Sequence, residues 1–136
     1  MYSQWALSLD DAKDIAKACR ACAEDKGWKV VIAIVDEGGH TMYLERLDGT
    51  QKASSVVAQE KAKTALLFKR PTQAIEAVVA GGRNVMMMLP GATPIEGGLP
   101  LVRDGQFVGA IGISGVQSHE DGVVAAAGVA HFASLC

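Results

Sequence analysis

Cysteine is scarce and odd in number: Cys19, Cys22 and Cys136. That count argues against a secreted disulfide scaffold. Cys19 and Cys22 form a Cys-x-x-Cys, but no second pair completes a zinc site, and Ala23 stands where a c-type haem attachment sequence needs histidine. Their spacing inside a helical pattern makes them core residues. No apolar run approaches the ~20 residues of a membrane span. The N-terminus, Met1-Tyr2-Ser3-Gln4-Trp5, shows no basic region followed by an apolar core, so the cytoplasm is the expected compartment. Phosphate-binding loops, dinucleotide fingerprints, a Gly-x-Ser-x-Gly elbow and internal repeats are all missing. The formal charge of −2 excludes a general affinity for nucleic acid or an anionic membrane.

The composition is globular: about half of the 136 residues are apolar and a fifth are charged. One domain spanning 1–136 is expected, large enough to bury a sizeable core. Basic residues are concentrated between Lys52 and Arg83, so one side of the fold attracts small anions or is simply a solvated helix face.

Ser8 and Asp11 mark a helix start, and Ala12, Ile15, Ala16, Cys19 and Ala23 repeat at helical spacing up to Gly27. Trp28–Asp36 and His40–Arg46 read as two strands around Glu37-Gly38-Gly39, paired as a hairpin. Gln51–Phe68 reads as a long helix. A shorter one follows Pro71 and ends at Gly81-Gly82. After an irregular stretch, Leu99–Arg103 and Gln106–Ser114 flank Asp104-Gly105, a strong hairpin signal. Ser118 with Asp121 opens a last helix running to about Ala133. Two hairpins make a mostly antiparallel sheet whose faces the helices must cover, an α+β class.

Lys61 is the most informative residue. On a helical wheel, Lys52, Gln59, Lys63 and Arg70 share a polar stripe, while Lys61 sits among Ser54, Val57, Ala58, Ala65 and Phe68 on the opposite face. A buried ammonium needs a carboxylate, a bound anion or a lowered pKa. Glu96, Asp48 or Asp36 could pair with it, the chain could snorkel to an edge, or the lysine could hold a ligand. The loop Thr93-Pro94-Ile95-Glu96-Gly97-Gly98 supplies a carboxylate beside two glycines whose unblocked N–H groups can approach a partner. Gly109, Gly112 and Gly115 weaken a strand unless a helix or a ligand comes close. Of His40, His119 and His131, His40 is the best axial-ligand or proton-transfer candidate, because it begins a strand at a Gly-rich turn. Glu120 and Asp121 are explained by the first turn of a helix. Met86, Met87 and Met88 suit core, a subunit interface or a flat apolar ligand.

Val31-Ile32-Ala33-Ile34-Val35-Asp36-Glu37-Gly38-Gly39-His40 and Arg46-Leu47-Asp48-Gly49 resemble the first hairpin of the GlcG/HbpS-like family, also called the haem-degrading or PduO C-terminal type. Glu60-Lys61-Ala62-Lys63-Thr64-Ala65, Pro94-Ile95-Glu96-Gly97-Gly98-Leu99-Pro100 and Gly109-Ala110-Ile111-Gly112-Ile113-Ser114-Gly115 are similar to its later parts. The resemblance implies a profilin-like antiparallel sheet of about five strands with helices packed on its faces. It also implies homo-oligomers from dimer to octamer, and haem as the cofactor of some members. Two functions follow. The first is a small-molecule-binding protein for haem or a related tetrapyrrole, with His40 on the iron. The second is a cofactor-free tautomerase, isomerase or lyase acting on a small carboxylate. There Lys61, Glu96 and His40 would be catalytic, and Arg46, Thr93, Gly97 and Gly98 would bind the ligand.

Overall fold

In the computed structural model, which describes residues 1–135, helices α1 (Leu9–Asp25) and α4 (Ser118–Ser134) cover one face of a four-stranded sheet. Helix α2 (Ser54–Leu67) covers the other. The strands are β1 (Val31–Val35), β2 (Thr41–Arg46), β3 (Gly98–Arg103) and β4 (Gln106–Ser114), in the order β2-β1-β4-β3, all antiparallel. The sheet therefore has four strands instead of about five, because the segment between α3 (Thr72–Ala80) and β3 forms only a 3-10 turn over Asn84–Met88. Cys136 lies outside the described residues. Among the described helices none is long and apolar enough to cross a membrane.

Local chemistry explains the elements. Ser8 Oγ accepts from the Asp11 N–H at 3.0 Å, and Asp11 Oδ2 accepts from the Ser8 N–H at 3.0 Å, closing the capping box that starts α1. Asp104 and Gly105 both take positive φ, the conformation a two-residue hairpin requires. The two hairpins become one sheet through the pairing of β1 with β4, from Val31 opposite Ser114 to Val35 opposite Ala110.

Alternation along the strands divides two unequal cores. Ile32, Ile34, Ile111 and Ile113 face α1 and α4, where they meet Ile15, Ala16, Cys19, Val124 and Phe132. Val31, Ala33, Val35 and Ala110 face α2, which answers with Ala58, Ala62 and Ala65. Small residues on both sides let that helix sit close. Gly112 is the extreme case: a Cβ there would run into the Ala58 carbonyl and stand 2.6 Å from the Ala62 nitrogen. Gly112 thus admits a packed helix, whereas a Cβ on Gly109 would meet the Val35 carbonyl and Leu7. Cys19 is fully buried in the first core, where desolvation pushes its thiol up to about 12, so Cys19-Arg20-Ala21-Cys22 is packing and not chemistry.

Candidate functional site

Lys61 and Asp121 form a buried ion pair, Nζ to Oδ2 3.0 Å, with both side chains 2% exposed. The lysine comes from α2 and the aspartate from α4, so the pair ties together helices on opposite faces of the sheet. They meet beyond the start of β3. The N–H of Ile113 donates to the Gly97 carbonyl at 2.9 Å. The carbonyl of Ile113 points to the same side of β4 and accepts from Lys61 Nζ at 3.0 Å. Gly97 is glycine for two reasons: its φ is +131°, and a Cβ there would lie 2.9 Å from Lys61 Nζ and 2.6 Å from the Ile113 oxygen. A Cβ on Gly98 would strike the Lys61 carbonyl.

Asp121 is held on both oxygens, since Oδ1 accepts from the Val116 N–H at 3.2 Å. Burial raises its pKa above the ordinary carboxyl value. The Lys61 ammonium and the Val116 and Gly115 amides pull the other way without cancelling it.

The sequence reading of Lys61 as buried and carboxylate-paired is met, but its partner is neither Glu96, Asp48 nor Asp36. By sequence Asp121 reads as a first-turn acid, with Ser118 as the cap. The cap is one residue earlier: the Gln117 N–H donates to Glu120 Oε1 at 3.2 Å, which leaves Asp121 free to turn inward. One signal was available. Asp121, Val124, Ala125, Gly128 and Phe132 follow helical spacing and are the buried residues of α4, so Asp121 lies on the apolar stripe.

The loop before β3 lies along α2 and α3. The Thr93 N–H donates to Thr64 Oγ1 at 2.9 Å, the Glu96 N–H to Glu76 Oε1 at 3.1 Å, and the Gly98 N–H to Thr72 Oγ1 at 2.9 Å. The Gly98 donor expected to be open is thus occupied. The Glu96 carboxylate packs on Gly122, where a Cβ would lie 2.5 Å from Oε2. Lys61, Glu96, Gly97 and Gly98 therefore converge, together with Asp121.

The first hairpin does not join them. Arg46 is on β2, the edge strand opposite β3, and lines a cavity of about 260 Å³ with Arg20, Glu24, Trp28, Glu45 and Asp48. His40 precedes the same strand. Its ring is 83% exposed, with Nδ1 3.4 Å from Asp36 Oδ1. Asp36 Oδ1 also accepts from the Gly38 and His40 N–H groups, both at 2.9 Å. Burial opposes ionisation of Asp36, but those amides and the His40 ring outweigh it and hold the carboxyl below its ordinary value. Gly39 rests on Lys63 and Leu67 of α2. Among the described residues no group of three His, Cys, Asp or Glu side chains is arranged to hold a metal ion.

Comparison with known proteins places this architecture in a class. Residues 7–130 match the family described as haem degrading protein HbpS-like. GlcG of Escherichia coli K12 is 40% identical over 114 residues, which cover 84% of this chain and 85% of that protein. A double mutant of HbpS from Streptomyces reticuli superposes with a TM-score of 0.88 at 31% identity, over 96% of this chain and 89% of the other. PduOC, solved as its complex with haem, superposes with a TM-score of 0.84 at 30% identity, over 93% and 95%. The chain belongs to the HbpS-like family.

Proposed function

We propose that this chain is a small-molecule-binding protein that takes haem or a closely related tetrapyrrole. The observation that carries the proposal is its likeness, over nearly the whole chain, to a protein solved with haem bound. His40 fits the role of iron ligand. Its Nδ1 side faces Asp36, which leaves Nε2 directed outward, and a carboxylate behind a ligating imidazole fixes the ring and raises its basicity. Leu67 and Lys63 lie against the preceding Gly39, an apolar contact and a cation for a propionate near the ring.

In this reading residues 1–136 act as one profilin-like domain in the cytoplasm, and copies of it assemble. Leu66 is buried within its own chain and is not open to a second subunit. Val56 and Leu67 stay exposed along α2, and Met87 and Met88 stay exposed on the 3-10 turn, outside the core. A second copy covers the α2 edge, which places the haem at its margin.

The alternative is cofactor-free chemistry on a small carboxylate. Lys61 is already neutralised by Asp121, which leaves Arg46 to hold the anion, and Arg46 and Glu96 belong to opposite edges of the sheet. The test is a haemin titration of the purified protein followed by Soret absorbance. Saturation at one haemin per chain is expected, with the shifted band lost in His40→Ala. A parent protein that gives only the spectrum of free haemin overturns haem binding, and an unchanged band in His40→Ala overturns His40 as the ligand.

A further inference from the structure

A second cavity stands apart from both the Lys61 cluster and His40. It measures about 340 Å³ and is lined by Trp5, Leu7, Asp11, Arg103, Val108 and Phe132. It lies on the α1/α4 side, where Leu7 packs on the first core. Its N-terminal wall is pinned: the Trp5 N–H donates to Gln106 Oε1 at 2.7 Å, and Gln106 Nε2 donates to the Ser3 carbonyl at 2.9 Å. These bonds tie the N-terminal wall of the cavity to β4.

Its chemistry is asymmetric. Five of the six side chains named, if Ala6 and Leu135 are set aside, divide into an apolar floor (Leu7, Val108, Phe132), an indole wall (Trp5) and one cation. Arg103 lies over the Trp5 ring, 5.0 Å from its centroid. Among the described residues it forms no ion pair; its hydrogen bond is a long one, from Nη1 to the Leu135 carbonyl at 3.4 Å. A half-buried guanidinium with an aromatic face and, among the described residues, no carboxylate partner is suited to receive one. Asp11, the sixth side chain, is already committed through Oδ2 to the capping box. Its negative charge disfavours a ligand carrying a second anionic group.

We propose that this cavity binds an aromatic monocarboxylate: the ring lies against Trp5 and Phe132, and the carboxylate is received by Arg103. The volume falls at the lower end of the ~300–1,000 Å³ range of small-molecule sites, which fits a single ring and not a tetrapyrrole. The site is therefore independent of the haem reading.

Phenylacetate is the probe, titrated into ¹⁵N-labelled protein and followed by amide chemical shifts. Saturable shifts are expected around Leu7, Val108 and Phe132. Benzyl alcohol, which lacks the charge, and phthalate, which doubles it, should both bind more weakly. Arg103→Met should weaken phenylacetate by about tenfold or more, the cost of one charge-assisted contact, with partial recovery in Arg103→Lys. Haemin titration of Arg103→Met should match the parent, which separates this site from that of haem. Absence of saturable shifts, shifts mapping elsewhere, or equal affinity for phenylacetate and benzyl alcohol would overturn the assignment. So would full affinity in a folded Arg103→Met. If that variant does not melt cooperatively, the shift map and the ligand selectivity of the parent decide.

Discussion

Replacing Lys61 by methionine separates an architectural ion pair from a functional one. The substitution nearly conserves volume, so its main effect is to leave Asp121 as a buried carboxylate without its cation. Both side chains are 2% exposed and 3.0 Å apart. Removing one partner of such a pair typically costs about 3–5 kcal/mol, while replacing both by apolar groups is often neutral. At neutral pH Lys61→Met should therefore lose about that much stability. The loss should depend on pH. Burial already raises the folded-state pKa of Asp121, and loss of the ammonium raises it further. A carboxyl whose folded pKa lies above its unfolded value binds more protons in the native state between those two values. Stability then falls as pH rises through that window and is recovered below it. The deficit of Lys61→Met relative to the parent should consequently shrink as pH falls toward the ordinary carboxyl range. Urea unfolding of the parent, Lys61→Met, Asp121→Leu and the double variant at several pH values measures this directly. The double variant should be more stable than either single one. A Lys61→Met deficit below about 1 kcal/mol, or one that does not change with pH, would refute the buried-pair reasoning.

Gly112→Ala places a methyl against the Ala58 carbonyl and the Ala62 nitrogen, which belong to helix backbone and cannot rotate aside. Overpacking of this kind costs up to about 3 kcal/mol, roughly 10 °C in melting temperature for a chain of this size. A thermal melt within 2 °C of the parent, well inside that ~10 °C, would contradict the close helix–sheet contact. Val56→Glu introduces a charge at the exposed edge of α2 and should lower the mass found by light scattering at micromolar concentration, while leaving the melt of the isolated chain close to the parent. A parent that is already monomeric removes the proposed assembly.

Much of the architecture is legible along the chain because it rests on local rules. The capping box at Ser8, the Asp104-Gly105 turn and the helical spacing from Ala12 to Ala23 each act over a few residues, and each forms the element it announces. Lys61 is legible for a related reason: a charge at the centre of an apolar helix face requires burial and compensation wherever that face packs. What compensates it is not local. Asp121 is 60 residues away, on a helix across the sheet, and its acidic neighbour Glu120 offers an adequate local explanation for both. Only the β3–β4 pairing, which leaves the Ile113 carbonyl open past Gly97, creates the gap through which the two side chains meet.

The same distinction explains Arg46 and His40. As a set of charged residues they could have joined Lys61 and Glu96, but the strand order puts β1 and β4 between β2 and β3. Strand order is decided by which edges pair after the hairpins form, and hairpin signals carry no information about that. Sequence by itself determined the elements, the sheet class and the burial of one lysine, since these follow from propensity, period and the cost of desolvating charge. Tertiary structure alone decided which carboxylate answers that lysine, which candidates share a site, and that Trp5, Arg103 and Phe132, spread over 128 residues, enclose one cavity.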